Sequence, residues 1–401
     1  LRRSATFRTA ALPVTNGNPM STTTKQPDTR GLAGQTIGDT SICSVGQSHL
    51  IYRGYEIADL AANATFEEVA HLLLVGHKPT ADELAAFSAD LVAERSIPES
   101  VQDVVAAVAS SSEDVHPMSI LRTGVSLLSH IDPECEDNSP EAELRKSKRL
   151  MAKIPAIIGC GQAARDGRSN VEPDPSLSHA ANLLWCITGE KPGEIAAKVM
   201  DVSLILYAEH DFNASTFTSR VIASTMSDMH SSVCGAIGAL KGPLHGGANE
   251  AAMDMLAEIM EAVDGGSTPK AWLDNAFATK RKLMGFGHRV YKNGDHRAGI
   301  LRDWGLKYAE QENPSARRWF DLGDEVQQIM LDEKNIHPNV DYPCGMTYYA
   351  MGIPVPQYTP IFVASRITGW CAHIMEQHQN NRIIRPLAEY TGPELKSWND
   401  G

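Results

Sequence analysis

The chain has no Cys-x-x-Cys pair. Its seven cysteines (Cys43, Cys135, Cys160, Cys186, Cys234, Cys344, Cys371) are scattered over 401 residues, and an odd, dispersed set reads as reduced intracellular thiols, not a disulfide frame or a zinc site. No run approaches the ~18 consecutive apolar residues of a membrane span, so a cytoplasmic protein is expected. His-Glu-x-x-His, Gly-x-Ser-x-Gly and a Walker A loop are all missing. The piece Gly285-Phe-Gly287 is no dinucleotide fingerprint, because Val290 stands where the third glycine belongs and no strand precedes it. There is no internal repeat and no heptad run. Positive charge is scarce as well: 36 Lys and Arg against 49 Asp and Glu leave a net −13, a poor match to nucleic acid or an anionic membrane. Any anionic substrate must be gathered by a local basic cluster against the field of the whole protein.

What is present is a chain of 43.5 kDa, 42% hydrophobic, long enough for two or three domain-sized units. The first 19 residues carry Arg2, Arg3 and Arg8 and no acid, a faintly transit-peptide-like composition. Met20 followed by Ser-Thr-Thr-Thr-Lys reads as an ordinary start, so a misplaced start or an extension is preferred. Residues 1–30 are expected to be disordered or an extension outside the fold. Residues 40–45 and 49–52 flank a Gly-Gln-Ser turn, predicting a small β-hairpin. Nearly everything beyond reads as helix. Phe66, Val69, Ala70, Leu73 and Leu74 form one helical stripe; Val101, Val104, Val105 and Val108 form another. Ile367, Trp370, Cys371, Ile374 and Met375 form a third, behind a start at Thr359-Pro360. Breaks are expected in the acidic loop 132–140 and at 171–176. Segments 199–207 and 233–240 are apolar on more than one face, predicting deep burial.

Ionisable groups gather among glycines in four segments: 206–215 with His210, 241–250 with His245, 284–297 with His288 and Arg297, and 338–345 with Asp341. His245 stands near a predicted helix start, where the helix dipole favours the neutral ring, and a neutral N–H suits a developing enolate oxygen. Residues 280–297 hold Lys280, Arg281, Lys282, Arg289, Lys292 and Arg297 against one acid, Asp295, a seat for phosphates or carboxylates. Each feature alone also has a structural reading: a hydrogen-bonding histidine, a solvated helix end, an Asx-type turn at Asp341. Taken singly they lead only to an α-helical enzyme acting on an anion.

Together these segments resemble the citrate synthase family, in its short bacterial citrate and 2-methylcitrate synthase branch. The likeness runs from about residue 31 to 394 and is strongest over 204–220, 235–250 and 284–292, with Asn339-Val-Asp341 and 382–392 completing it. The resemblance implies a mostly α, two-domain, multi-helical fold with the small N-terminal β-hairpin. A large helical domain would comprise 31–248 plus 346–401, and a small mobile helical domain 249–345. His245 would then lie near the hinge, with His288 and Asp341 on the small domain. It also implies roles. His245 matches the group that stabilises the enol or enolate of an acyl-CoA, Asp341 the base that removes the α-proton, and His288 the group that polarises and protonates the oxaloacetate carbonyl. His210, Arg297 and Arg366 match residues that hold oxaloacetate. Arg385 matches an arginine reaching the neighbouring active site, which implies a homodimer. Lys282, Leu283, Met284, Gly285 and Phe286 match the CoA-receiving loop, and Lys292 a basic CoA contact. CoA enters as the thioester co-substrate; no permanently bound cofactor and no metal is implied.

The implied reaction condenses acetyl-CoA with oxaloacetate and hydrolyses the thioester to citrate and CoA, a step of the tricarboxylic acid cycle. A sister activity would use propionyl-CoA, and residues 115–125 look somewhat like that subgroup. A different class of protein, a catalytically silent sensor of CoA or carboxylates, is disfavoured by the intact set of histidines, aspartate and arginines. Phe217 and Thr218 stand where other branches carry a histidine, so no ligand is expected there. The N-terminal extension of the large NADH-regulated enzymes is not seen, which favours a dimer over an allosteric hexamer.

Overall fold

The computed structural model describes Leu32 and residues 34–398. The extension expected over 1–30 lies outside the described residues. Residues 1–39 separate as a unit of their own, of which the described part is an exposed turn closed by the Gln35 N–H on the Leu32 carbonyl (3.1 Å).

From Thr40 the chain opens with a three-stranded antiparallel sheet, β1 (Cys43–Gly46), β2 (His49–Tyr52) and β3 (Tyr55–Glu56), in the order β1-β2-β3. The expected hairpin is present, with Cys43 opposite Tyr52 and Gly46 opposite His49. The third strand adds two residues across a turn at Arg53-Gly54, both in the left-handed region (φ 47° and 93°), the twist that two-residue hairpins prefer. Two residues are too few to leave a periodic trace, so β3 was illegible.

Helices make up most of the remainder. They are α1 (Ile57–Asn63), α2 (Phe66–Val75), α3 (Ala81–Ala93), α4 (Glu99–Ala109), α5 (Pro117–Ser129) and α6 (Pro140–Asp166). After these come α7 (His179–Thr188), α8 (Glu194–Tyr207), α9 (Ala214–Ala223), α10 (Met229–Leu240) and α11 (Ala248–Asp264). The last five are α12 (Pro269–Ala278), α13 (His296–Gln311), α14 (Arg317–Lys334), α15 (Asp341–Ala350) and α16 (Tyr358–Gln379). Local chemistry sets many ends. Thr65 with Glu68 and Thr80 with Glu83 form capping boxes on α2 and α3, and Gly76 stops α2 at φ 101°. Both predicted breaks fall between helices, the first between α5 and α6 and the second between α6 and α7.

The main core centres on α8 and α16, which pack on each other. Residues 199–207 of α8 are buried on every face, as expected, and so is nearly all of α16. Segment 233–240 departs from expectation. Val233, Ala236, Ile237 and Leu240 are buried, but Cys234, Gly235, Gly238 and Ala239 stay half-exposed. Apolar composition on a second face of α10 therefore does not mean burial within this chain. A second hydrophobic cluster is drawn from Met255, Leu256, Leu273, Phe320, Val326 and Tyr342, among others, on α11, α12, α14 and α15. Leu301, Val340 and Cys344 join the main core instead. Among the described residues, no helix is long and apolar enough to cross a membrane.

Candidate active site

The C-terminal end of α8 gathers the site. Arg366, on α16 and 1% exposed, donates from Nε to the Tyr207 carbonyl (2.7 Å). Arg297, on the first turn of α13, donates to the neighbouring Leu206 carbonyl (3.4 Å). Free carbonyls at a helix C-terminus are the negative end of its dipole and draw both guanidinium groups inward. Arg297 forks onto Asp295, Nε to Oδ1 (3.0 Å) and Nη2 to Oδ2 (2.8 Å). The same carboxylate caps α13 and accepts from the Val340 N–H (3.1 Å), which ties α13 to the start of α15. Burial pushes the Arg366 pKa down and the Arg297 charge adds to this, while Glu209 opposes it; a guanidinium nonetheless stays charged at neutral pH. Among the described residues no carboxylate lies within ion-pair distance of Arg366. A buried cation without a direct ion-pair partner is costly, and an anionic ligand would relieve it.

Two imidazoles stand beside this pair. His288 Nδ1 accepts from the Val290 and Tyr291 N–H groups (3.1 and 3.2 Å). Its proton therefore sits on Nε2, which can only donate. The ring stacks on Tyr291 (4.5 Å) and lies 5.2 Å from the ring of His210. His210 Nε2 meets the Tyr291 hydroxyl (3.1 Å). Burial, then Arg297, lowers the His288 pKa to about 4; burial, Arg297 and Arg366 push His210 down as well. Both are neutral at pH 7.

His245 lies in the turn before α11. Its Nε2 accepts from the Ser215 N–H (3.3 Å) and contacts Ser215 Oγ (2.9 Å), which in turn accepts from the Trp370 indole (3.1 Å). The proton of this ring is thereby assigned to Nδ1. The ring is neutral at pH 7, its pKa lowered to about 4. Burial is the largest cause, and the charge of Arg366 adds to it.

Asp341 is the first residue of α15. The Asx-type turn reading is replaced by a helix start, in which Pro343 is tolerated because first-turn N–H groups have no intrahelical acceptor. The carboxylate accepts from the Tyr207 hydroxyl (2.8 Å). Burial raises its pKa to about 6, against the lowering effects of that hydrogen bond and of Arg297. Phe362 joins the pieces: its ring lies 4.5 Å from Tyr207, 4.8 Å from the Arg366 guanidinium and 6.3 Å from His245.

The loop Lys282–Phe286 runs against the strand of chain before Asp341. The Asn339 N–H donates to the Gly285 carbonyl (2.9 Å) and the Gly287 N–H to the His337 carbonyl (2.8 Å), and Phe286 packs on Tyr342. Gly285 has φ 79°, and a Cβ there would come to 3.0 Å from Tyr342, so a side chain would both strain the backbone and crowd Tyr342. Leu283 and Phe286 pack on the second hydrophobic cluster, Met284 is half-buried, and Lys282 is exposed. Lys292, also exposed, folds back onto the His288 carbonyl (2.9 Å). The basic run therefore splits. Arg297 turns inward, Arg281 pairs with Glu258 on the surface (2.7 Å), and Lys280, Lys282, Arg289 and Lys292 stay exposed. Arg385 is not brought to the cluster; it stands exposed on the segment after α16. Tyr207, Ser215, Tyr291 and Phe362 were not singled out from the sequence. Tyr207 and Ser215 sat in plain view, three to five residues from His210, but nothing local marks a hydroxyl that serves a residue 134 positions away.

The family model for the C-terminal domain of citrate synthase matches residues 31–387. The chain is 43% identical to a protein of Bacillus subtilis named citrate synthase 2, over 92% of this chain and 97% of that one. The chain belongs to the citrate synthase family. It is 44% identical to a 2-methylcitrate synthase of Shewanella oneidensis, over 90% of this chain and 94% of that protein. The citrate synthase of Thermoplasma acidophilum, solved as a ternary complex with carboxymethyl coenzyme A and oxaloacetate, superposes with a TM-score of 0.86 at 30% identity. That match covers 92% of this chain and 97% of the other. The citrate synthase of Pyrobaculum aerophilum gives a TM-score of 0.83 at 36% identity, over 91% and 92% of the two chains. As a member of the citrate synthase family, the chain is a condensing enzyme of the acyltransferase type, and the mostly helical fold expected from the sequence is the one found.

Proposed function

We propose that the enzyme condenses acetyl-CoA with oxaloacetate and hydrolyses the resulting thioester to citrate and free CoA. The observation that carries this reading is the buried, carboxylate-free Arg366 beside Arg297, within a ring of neutral imidazoles and one basic carboxylate. Oxaloacetate supplies the missing negative charge, its carboxylates pairing with the guanidinium forks of Arg297 and Arg366 and with His210. Asp341 removes a proton from the α-carbon of the thioester. That carbon is a far weaker acid than any carboxylic acid, so transfer requires the enolate to be held as it forms. His245 Nδ1–H donates to the enolate oxygen. The enolate carbon attacks the keto carbon of oxaloacetate, and the keto oxygen takes the proton of His288 Nε2. Water then splits the thioester.

The loop Lys282, Leu283, Met284, Gly285, Phe286 and the exposed Lys292 receive CoA. Lys282 and Lys292 suit its phosphates, and the CoA thioester is a co-substrate, not a resident cofactor. Residues 249–345 close over the bound acceptor as a small domain, bringing His288 and Asp341 onto His245. Arg385 serves the active site of a second copy. Supporting this, the segment after α16 exposes Leu387 (88%) and Trp398 (98%), apolar surface that a homodimer would cover. The setting is cytoplasmic.

A second reading, 2-methylcitrate synthase, has its own support: relatives of the two names are equally similar to the chain, at 43% and 44% identity. One methylene in a pocket discriminates by only ~1–3 kcal/mol. The test is kcat/KM for acetyl-CoA and propionyl-CoA at fixed oxaloacetate, read as free thiol. The proposal expects the acetyl value to exceed the propionyl value. A large propionyl preference transfers the assignment to 2-methylcitrate, and no turnover of either donor leaves a carboxylate-binding protein instead of an enzyme.

A further inference from the structure

Away from the active site, one buried imidazole has poor partners. His230, in the first turn of α10, is 1% exposed. Its Nε2 stands 3.5 Å from Asp132 Oδ2, and its Nδ1 stands 3.9 Å from Cys135 Sγ and 4.0 Å from Asp228 Oδ1. Hydrogen bonds from ring nitrogen to oxygen run at ~2.7–3.2 Å, so neither nitrogen has a close oxygen partner, and Nδ1 has only the long contact with the sulfur. Cys135, Asp228 and His230 nevertheless each offer one ligand atom, all within 4.8 Å of one another. Around a tetrahedral ion with bonds of ~2.3 Å to sulfur and ~2.0–2.1 Å to nitrogen or oxygen, ligand atoms sit roughly 3.3–3.6 Å apart. The two His230 Nδ1 distances exceed that spacing by roughly 0.3–0.7 Å, and no pair exceeds it by more than about 1.5 Å.

The surroundings fit the same purpose. Asp132 is fixed by a fork from Arg149, Nε to Oδ2 (2.8 Å) and Nη2 to Oδ1 (2.7 Å). It faces the His230 nitrogen that points away from the sulfur, the carboxylate–imidazole arrangement that orients metal-bound histidines. Asp228 is held by the Ser231 N–H (2.8 Å) as the cap of α10. Asp228, Glu136 and Asp132 set a negative field at Cys135; Lys146 opposes it, but its ammonium is engaged by the carbonyls of Cys135 (3.1 Å) and Asp137 (2.6 Å). Cys135 and Asp228 are half-exposed, which gives an ion a way in and leaves solvent for the fourth position.

We propose that Cys135 Sγ, His230 Nδ1 and an Asp228 carboxylate oxygen bind one thiophilic divalent cation of the zinc class, with Asp132 orienting the imidazole. On binding, the Cys135 S–H bond breaks, its proton passes to solvent and a sulfur–metal bond forms. Thiolate, carboxylate and divalent ion then sum to zero charge. A thiol is ordinarily protonated at neutral pH and binds a metal as the thiolate, so one proton is released per ion. The ion staples the loop between α5 and α6 to the start of α10. No spacing motif announces it, because 95 residues separate Cys135 from His230. The site lies apart from His245, His288 and Asp341 in the fold, on the loop between α5 and α6 and the start of α10.

The test is titration of the chelator-stripped, full-length protein with Co2+, followed by near-ultraviolet and visible absorption and by proton release. Expected are one Co2+ per chain, a thiolate-to-cobalt charge-transfer band, visible bands of tetrahedral intensity, one proton released, and displacement by Zn2+. C135S should lose the thiolate band while keeping its far-ultraviolet circular dichroism and its turnover. D132N should keep the band and bind ~10–100-fold more weakly. A thiolate band that survives in C135S, octahedral spectra, or wild-type protein that takes up no Co2+ and releases no proton would each overturn the proposal.

Discussion

Asp341 is a carboxylate balanced between two effects. Burial raises its pKa to about 6, and the hydrogen bond from Tyr207 holds it from going higher. This carboxylate is therefore more basic than a surface aspartate yet still ionised at pH 7. Asp341→Asn should lower kcat by ~10²–10⁴-fold, with little change in oxaloacetate affinity by calorimetry, because the arginines remain. In the wild type, kcat/KM should rise with pH through about 6 as Asp341 ionises, the histidines having lost their protons near pH 4. Tyr207→Phe removes the bond that favours the ionised form, so the Asp341 pKa rises and the acid limb moves to higher pH. An unshifted limb in the pH–rate profile of that variant would show that Tyr207 does not set the base. Which residues are ionisable and set among glycines is written in the sequence. Which nitrogen of His245 or His288 holds the proton is not, since that depends on Ser215, Val290 and Tyr291 arriving at hydrogen-bonding distance.

Among elements, the packing of α16 on the end of α8 sets the site, and Gly369 permits it. A Cβ there would meet Glu209 Oε2 at 2.0 Å and the Ala208 carbonyl at 2.6 Å. Gly369→Ala must push α16 off α8 and carry Arg366 with it. We expect a loss of ~1–3 kcal/mol in stability by denaturant unfolding, together with a higher KM for oxaloacetate; an unchanged KM would mean that Arg366 is positioned independently of this contact. The long helices were legible because their stripes repeat over several turns and because capping residues such as Thr65 and Thr80 mark their starts. The start of α15 was not. Asp-Tyr-Pro is equally a turn and a first helical turn, and only the packing of Tyr342 and Cys344 into the two hydrophobic clusters decides between them. The same limit hid the exposed face of α10, since composition cannot say which apolar face finds a partner.

For the whole molecule, the proposed closure and pairing make separate demands. Saturating oxaloacetate should change the small-angle scattering and the tryptophan fluorescence as residues 249–345 close; no response at saturation counts against closure. Arg385→Ala should raise the oxaloacetate KM by about tenfold or more, the scale of a lost charged hydrogen bond. Its activity should recover partly when it is mixed with a chain defective at Asp341, because each mixed dimer then holds one site with both residues intact. Absence of complementation would place Arg385 outside the neighbouring site. The fold class could be read from segments far apart in sequence because the family likeness spans nearly the whole chain, whereas the acyl donor is set by pocket shape that no motif spells out. The most direct measurement of the central claim is free-thiol release on mixing the purified chain with acetyl-CoA or propionyl-CoA, with and without oxaloacetate, in the wild type and in Asp341→Asn. Release that requires oxaloacetate and collapses in the variant is the predicted result; release that ignores oxaloacetate, or that persists undiminished without the Asp341 carboxylate, would contradict it.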